Sequence, residues 1–297
     1  MKLGLGTAQF GLDYGVTNNK GRVAQDNVMR IIAFAEQREF ELLDTAAAYG
    51  SSEEVIGAVL RPSSSMRVVT KTPVFRCERI SDAEVNQLNA TLRRSLQRLR
   101  RRNVYGLLLH NADNLSLPGG KLLLEAMRKA VFSGLVAKIG VSVYRKEQVD
   151  SVLDVFTPDI LQCPVSIFDQ RLVRSGHLAT LKRLGVEIHA RSLFLQGLLL
   201  GEEESLPDAL SCHRAHFHRY FSQLAALGVG KVEAAVGFIR SQPNVDVAVV
   251  GVTELRELEQ IVDAALGEAP SEISYADFAL DDLKAIDPST WNLKARG

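Results

Sequence analysis

A single (β/α)8 TIM barrel of the α/β class is the fold this sequence predicts, and three observations carry the prediction. Eight short β-branched or Leu-rich runs alternate with longer stretches whose apolar residues recur at three-to-four spacing, the order expected of repeated βα units around a parallel sheet. Six of those runs close on a polar residue, Asp44, Lys71, His110, Ser142, Gln162 or Arg191, at the strand end where a barrel keeps its active-site face. The opening Gly4-Leu5-Gly6-Thr7-Ala8-Gln9 lacks both the third glycine and the immediate helix of the rival doubly wound fold.

The strands are predicted at 3–7, 41–44, 67–71, 105–110, 137–142, 160–163, 187–191 and 245–251. Helices are predicted near 25–38, 52–60, 82–100, 120–133, 146–155, 174–184, 214–241 and 254–266, the seventh open to a split at Gly228-Val229-Gly230. Leu107-Leu108-Leu109 and Val247-Ala248-Val249-Val250 read as continuous apolar runs, as strands buried on both faces should. Ser52, followed by Glu53 and Glu54, is the candidate cap of the second helix. With no linker or repeat, residues 1–297 are expected to form one domain with a C-terminal tail from about 268.

Composition narrows the function. The chain has 297 residues, 46% hydrophobic and 24% charged, which suits a large buried core of the size such barrels fill. Lys plus Arg and Asp plus Glu are both 35, so no global field favours nucleic acid or an anionic membrane. The expected partner is a small molecule. Cys77, Cys163 and Cys212 are odd in number and form no CxxC pair, which points to a reducing compartment and away from zinc. No secretory leader or span of roughly 20 apolar residues is evident, so a cytoplasmic monomer or small homo-oligomer is expected.

The chemistry begins at Asp44-Thr45-Ala46-Ala47-Ala48-Tyr49-Gly50 and continues through Ser52-Glu53 to Ile56-Gly57. This run resembles the signature of the aldo-keto reductase superfamily. Val69-Thr70-Lys71, Leu108-Leu109-His110, Gly140-Val141-Ser142 and Gln162 follow in that family's order over nearly the whole barrel. The resemblance implies a nicotinamide-dependent oxidoreductase that reduces an aldehyde or ketone, with Asp44, Tyr49, Lys71 and His110 as the catalytic set. It also implies cofactor contacts: Ser142 and Gln162 to the carboxamide, Thr7 and Ala8 beside the pyrophosphate and ribose, and the Arg191-Ser192 and Gly251-Val252-Thr253 loops.

Elementary chemistry supports those roles. Hydride addition to a carbonyl creates an alkoxide that needs a proton, and a free tyrosine, with a pKa of about 10, is a weak acid at neutral pH. A Lys71 ammonium is expected to lower the Tyr49 pKa by about 3 units, roughly 4 kcal/mol, with Asp44 holding the lysine charged. A neutral His110 would hydrogen-bond the carbonyl oxygen and orient it. Singly, each of these residues also reads as a structural ion pair, a strand-end histidine or a loop anchor.

The sequence departs from the family in three places. Ser142-Val143 replaces the usual Ser-Asn pair. Arg191 stands where an aromatic residue commonly stacks on the nicotinamide; it is expected to stack in its stead and disfavour the oxidised ring, or else to pair with Glu187 or another carboxylate. Glu257 stands where NADPH-dependent relatives carry arginine or glutamine, although Arg256 beside it could compensate. Family habit nevertheless puts NADP(H) narrowly ahead of NAD(H).

Other features stay open. The run Arg93-Arg94, Arg98 and Arg100-Arg101-Arg102 reads as a solvated helix face rather than a nucleic-acid site. Cys212-His213-Arg214-Ala215-His216-Phe217-His218 fits no familiar zinc spacing, leaving a surface helix or a substrate-loop role. Trp291 either borders the substrate pocket or packs outside the barrel. Two rival functions remain, a Schiff-base lyase using Lys71 and a nucleotide-binding sensing subunit with little turnover. The opening Leu5-Gly6-Thr7-Ala8-Gln9-Phe10-Gly11-Leu12-Asp13-Tyr14-Gly15 resembles a bacterial branch of the aldo-keto reductases, and that resemblance implies a sugar-like or other polar carbonyl.

Overall fold

The computed structural model describes residues 1–288 and 291. Eight parallel strands close on themselves in sequence order: β1 (Lys2–Gly6), β2 (Leu42–Asp44), β3 (Arg67–Lys71), β4 (Val104–Leu109), β5 (Val136–Ser142), β6 (Ile160–Pro164), β7 (Glu187–Arg191) and β8 (Val247–Gly251). Closure is made by β1 against β8, with Leu3 opposite Ala248 and Gly6 opposite Gly251, so no edge is left to pair with another chain. His110 lies one residue past β4, and β6 continues two residues past Gln162.

Helices fall where the apolar periodicity places them. Gln25–Gln37, Ser52–Val59, Asp82–Arg98, Lys121–Phe132, Lys146–Leu153 and Leu255–Leu266 match the predicted stretches within a few residues. The sixth prediction resolves into Arg171–Arg174 and His177–Arg183, and the seventh into Arg214–Leu227 and Lys231–Arg240. Gly228 makes the second break by taking φ +66°, which ends a helix at no cost to a residue without a Cβ. Ser52 is not the cap. It lies inside the helix after Ser51, fully buried, and donates its hydroxyl to the carbonyl oxygen of Thr7 at 2.8 Å. The interior strand environment, not the helix end, claims this side chain.

Two apolar cores result from the alternation of side chains along each strand. Leu42, Val69, Leu108, Ile160, Val247 and Val249 pack inside the barrel. Gly4 and Gly106 make room for them: a Cβ at Gly4 would lie 2.9 Å from Val247, and one at Gly106 2.9 Å from Ile160. The larger core lies between sheet and helices. No single helix among the described residues is long and apolar enough to cross a bilayer.

The C-terminal segment follows the outside. Leu280 donates its amide to the carbonyl of Phe168 at 2.8 Å, and Trp291, buried, donates Nε1–H to the carbonyl of Lys284 at 2.6 Å. The histidines of the 213–218 segment are dispersed: His213 meets Asp282, His216 the carbonyl of Phe278, and His218 Glu203. Arg98 pairs with Glu54, and Arg101 donates to the carbonyls of Arg61 and Pro62, so part of the basic run holds neighbouring elements together.

The strand N-termini form a polar plug. Glu187 of β7 accepts from Tyr105 at 2.6 Å, Lys138 at 2.6 Å and the His189 ring at 2.8 Å, tying β4, β5 and β7 together. These bonds and neighbouring positive charge outweigh burial and hold the Glu187 carboxyl well below the usual carboxylate range. Its contribution to stability is therefore present above the unfolded-state value of about 4.3 and is lost as pH falls below it. Glu187→Gln is expected to cost about 2 kcal/mol at pH 7. The difference from wild type should shrink between pH 4.5 and pH 3, which thermal denaturation across that window measures.

Candidate active site

One cavity of about 870 Å³ opens at the strand C-termini and runs between the first, seventh and eighth strand loops. Its walls include Asp44, Tyr49, Lys71 and His110, together with Thr7, Ala8, Ser142, Gln162, Arg191, Ser192, Gly251, Val252 and Thr253. Every residue singled out from the sequence thus faces the same space. Parallel strands with side chains alternating in and out bring this about, because the last inward position of each strand points to the same mouth.

At the centre lies an ion pair almost without solvent contact. Lys71 Nζ sits 2.9 and 2.8 Å from the two oxygens of Asp44 and 3.0 Å from the carbonyl of Thr45, the two side chains being 1% and 6% exposed. Gln162 donates Nε2–H to Asp44 Oδ1 at 2.7 Å from across the barrel. Burial lowers the Lys71 pKa while Asp44 raises it, the net direction being down. The contact with both carboxylate oxygens nevertheless favours the ammonium, which opposes the neutral lysine that a Schiff-base mechanism requires.

Tyr49 is held by backbone packing. Its loop rests on the short turn Ala8–Gly11, where a Cβ at Gly11 would lie 1.9 Å from the Tyr49 carbonyl. Gly50 follows with φ +56°, and a Cβ there would meet the Gly11 carbonyl at 2.3 Å. Thr7 locks the same region from below, donating Oγ1–H to the Asp44 carbonyl at 2.9 Å and accepting from Ser52 at 2.9 Å. The Tyr49 ring lies 5.0 Å from Lys71 Nζ and 6.0 Å from the His110 ring, edge to face.

The electrostatics correct one expectation. Burial and then the negative charge of Asp44 push the Tyr49 phenol above its ordinary value, and Arg191 is the cation that opposes them. Lys71 is not among the groups that shift the phenol, contrary to the expectation that its ammonium lowers the Tyr49 pKa. His110 behaves as expected of a neutral imidazole. Burial and the Lys71 charge lower its pKa to about 4, and its buried Nδ1 has no partner.

Several residues escaped the sequence reading. Tyr14 and Tyr144 enter the cavity wall beside Tyr49, and Gln196 donates to the Tyr14 hydroxyl at 3.2 Å, joining the first and seventh strand loops. Ser192, Leu195 and Gln196 all take positive φ, between 49 and 62°, so the seventh loop holds its shape under backbone strain. The only signal for Tyr14 was its place in the opening motif. Arg191 lies with its guanidinium carbon 4.1 Å from the Tyr144 ring centroid, donating to the Val143 carbonyl at 3.3 Å and Ser192 Oγ at 3.2 Å. It does not pair with Glu187, which is held by Tyr105, Lys138 and His189.

At the eighth strand loop Glu257 turns back on the start of the helix Leu255–Leu266. Its carboxylate accepts from the backbone N–H of Thr253 at 2.6 Å and of Glu254 at 3.3 Å, and from Thr253 Oγ1 at 3.0 Å. Arg256 is exposed and is not part of the cavity wall.

A closed barrel of eight parallel strands with a buried Asp–Lys pair, a phenol and a neutral imidazole at its mouth defines a class of oxidoreductases that act on carbonyls. The sequence profile of the Aldo/keto reductase family matches residues 2–276, and the chain belongs to that family. It is 27% identical over 285 residues to the aldo-keto reductase YhdN of Bacillus subtilis strain 168, covering 88% of this chain and 83% of that one. In fold it is similar to a glycerol dehydrogenase from Gluconobacter oxydans, with TM-score 0.70, 22% identity and coverage of 96% and 92% of the two chains. It is also similar to the holo form of an aldo-keto reductase from Bacillus halodurans, with TM-score 0.73, 18% identity and coverage of 93% and 89%.

Two measurements test the electrostatics. The His110 ring resonances should stay flat from pH 8 down to pH 6 and move only near pH 4, as NMR of the labelled protein will show. Asp44→Ala strands Lys71 in the interior and should cost about 3 kcal/mol in chemical denaturation.

Proposed function

We propose that this chain reduces an aldehyde or ketone to an alcohol with NAD(P)H, Tyr49 acting as the general acid. The observation that carries the reading is the placing of one half-buried phenol between a fixed ion pair and an imidazole whose buried Nδ1 has no partner among the described residues, at the mouth of one long cavity. The wall suits a nicotinamide cofactor: the Gln162 Oε1 is buried without a partner and is free to accept from a carboxamide N–H, while its Nε2 stays on Asp44. Ser142, Gln162, Arg191 and Ser192 would hold the nicotinamide, Thr7 and Ala8 would lie beside the pyrophosphate and ribose, and Gly251, Val252 and Thr253 would hold the adenosine end. When bound, the cofactor supplies the hydride.

The protein handles the proton. A phenol raised above its ordinary pKa enters the reaction fully protonated, and the alkoxide formed from the carbonyl, with a pKa near that of water at about 16, still takes the proton downhill. Neutral His110 hydrogen-bonds the carbonyl oxygen and aims it at Tyr49. Lys71, fixed by Asp44 and the Thr45 carbonyl, prevents the carboxylate from facing the new alkoxide unscreened. A cytoplasmic setting and a sugar-like or other polar carbonyl remain part of this reading; the similarity to a protein named for glycerol supports the latter.

Glu257 turns the cofactor preference toward NAD(H), against the family habit that favours NADP(H). Its carboxylate already occupies the amides of Thr253 and Glu254 that a 2′-phosphate would use, and it repels a second anion there while suiting a ribose hydroxyl.

Tyr49→Phe should lower kcat/KM by about 10²–10⁴ while NADH affinity stays within a few-fold, as steady-state kinetics and nicotinamide fluorescence will show. Unchanged turnover would remove Tyr49 as the acid. Because the phenol pKa is raised, wild-type reduction should not lose rate between pH 7 and 9.5. In a fluorescence competition NADH should bind at least tenfold more tightly than NADPH, and Glu257→Gln should narrow that ratio.

A further inference from the structure

Five carboxylates line the cavity, Asp44, Glu202, Glu233, Glu257 and Asp263, yet one lining cation pairs with none of them. Four lysine or arginine side chains line it, Lys20, Lys71, Arg191 and Lys231. Lys20 pairs with Glu254, Lys71 with Asp44 and Lys231 with Glu202. Arg191 has no carboxylate partner among the described residues. Its two hydrogen bonds go to a carbonyl and a hydroxyl at 3.3 and 3.2 Å, long for a charged donor, and leave the rest of its N–H fork unmatched. The nearby Asp169 is committed to Arg171, with contacts of 2.8 and 2.7 Å.

A half-buried guanidinium without an anion gives up part of its hydration, and a ligand that brings the anion in compensates for that loss. The surroundings favour this use. Its guanidinium carbon lies 4.1 Å from the Tyr144 ring centroid, and Tyr14, Tyr49 and Tyr144 line the same cavity. In the reading above Arg191 lies along the nicotinamide half of the cavity, the half in which the carbonyl that takes the hydride must also sit. We propose that Arg191 receives a carboxylate of the substrate, so that the preferred substrates are carbonyl compounds that are also acids. A planar carboxylate matches the fork in two parallel bonds and fixes where the carbonyl lies relative to Tyr49. The inference rests on the reductase reading given above.

Matched probes separate the charge from the carbonyl: D-glucuronate against D-glucose, and glyoxylate against acetaldehyde, each with saturating NADH. The acid of each pair should show kcat/KM at least 30-fold above its neutral partner. Arg191→Gln should cut that ratio at least 30-fold, chiefly through KM, and Arg191→Lys should recover part of it. Equal kcat/KM for acid and neutral probes in the wild type, or equal losses for both in Arg191→Gln, would overturn the proposal. So would an NADH dissociation constant that rises in step with the loss, which would assign Arg191 to the cofactor.

A binding arm does not need turnover. D-Glucarate, which has no carbonyl to reduce, should bind the NADH complex more tightly than D-glucitol, read by nicotinamide fluorescence, and the preference should vanish in Arg191→Gln. That result without turnover of any probe would keep the carboxylate site and sink the reductase reading. Equal binding of the two would sink the site. Should the glutamine variant not fold, the wild-type ratios and Arg191→Lys decide the matter.

Discussion

The buried contact between Lys71 and Asp44 is the constraint on which the rest of the site depends. It joins the ends of β2 and β3, and through Gln162 it reaches β6 on the far side of the barrel. An ion pair in such a place is no net gain over a well-packed apolar pair, so stability alone does not account for it. What it does is fix geometry. With both carboxylate oxygens engaged, the ammonium cannot swing, and the ring of Tyr49 packs at a set distance from it. Each further feature of the mouth is referred to this fixed point.

The same contact redistributes charge. Burial and the Asp44 carboxylate are the main influences on the phenol, and it holds its proton firmly. His110, beside a cation and out of water, does the opposite and stays neutral. One donor is loaded and one imidazole is uncharged over the same pH range, as proton delivery to a nascent alkoxide requires. The cation of the mouth that no described carboxylate pairs with is then Arg191, whose bonds go to a carbonyl and a hydroxyl.

Rigidity around Tyr49 comes from contacts that leave little trace in a sequence. Gly11 and Gly50 allow two stretches of backbone to touch, and Thr7 and Ser52 bolt that contact to the Asp44 carbonyl. Ser52 was legible as a helix cap because caps are local, yet its bond runs to Thr7, 45 residues away. Glu257 shows the reverse case: its capping contacts are local, and the helix they cap begins at the cavity that Glu257 lines.

Strand and helix positions were legible in the sequence because they follow from periodicity and from chain chemistry over a few residues. The split at Gly228 and the polar strand ends at Asp44, Lys71, Ser142 and Arg191 needed nothing more. The residues facing the cavity were legible for a related reason: in a closed parallel barrel, strand ends have only one place to converge. What the tertiary structure alone decided is who partners whom. Lys71 neutralised by Asp44, Gln162 bonded across the barrel, Glu187 bound by three other side chains, and Arg191 without a carboxylate are all facts about distance between residues far apart in the chain. Electrostatic influence falls off with separation and depends on burial, so the charge state of the site is set by packing that no single stretch of sequence contains.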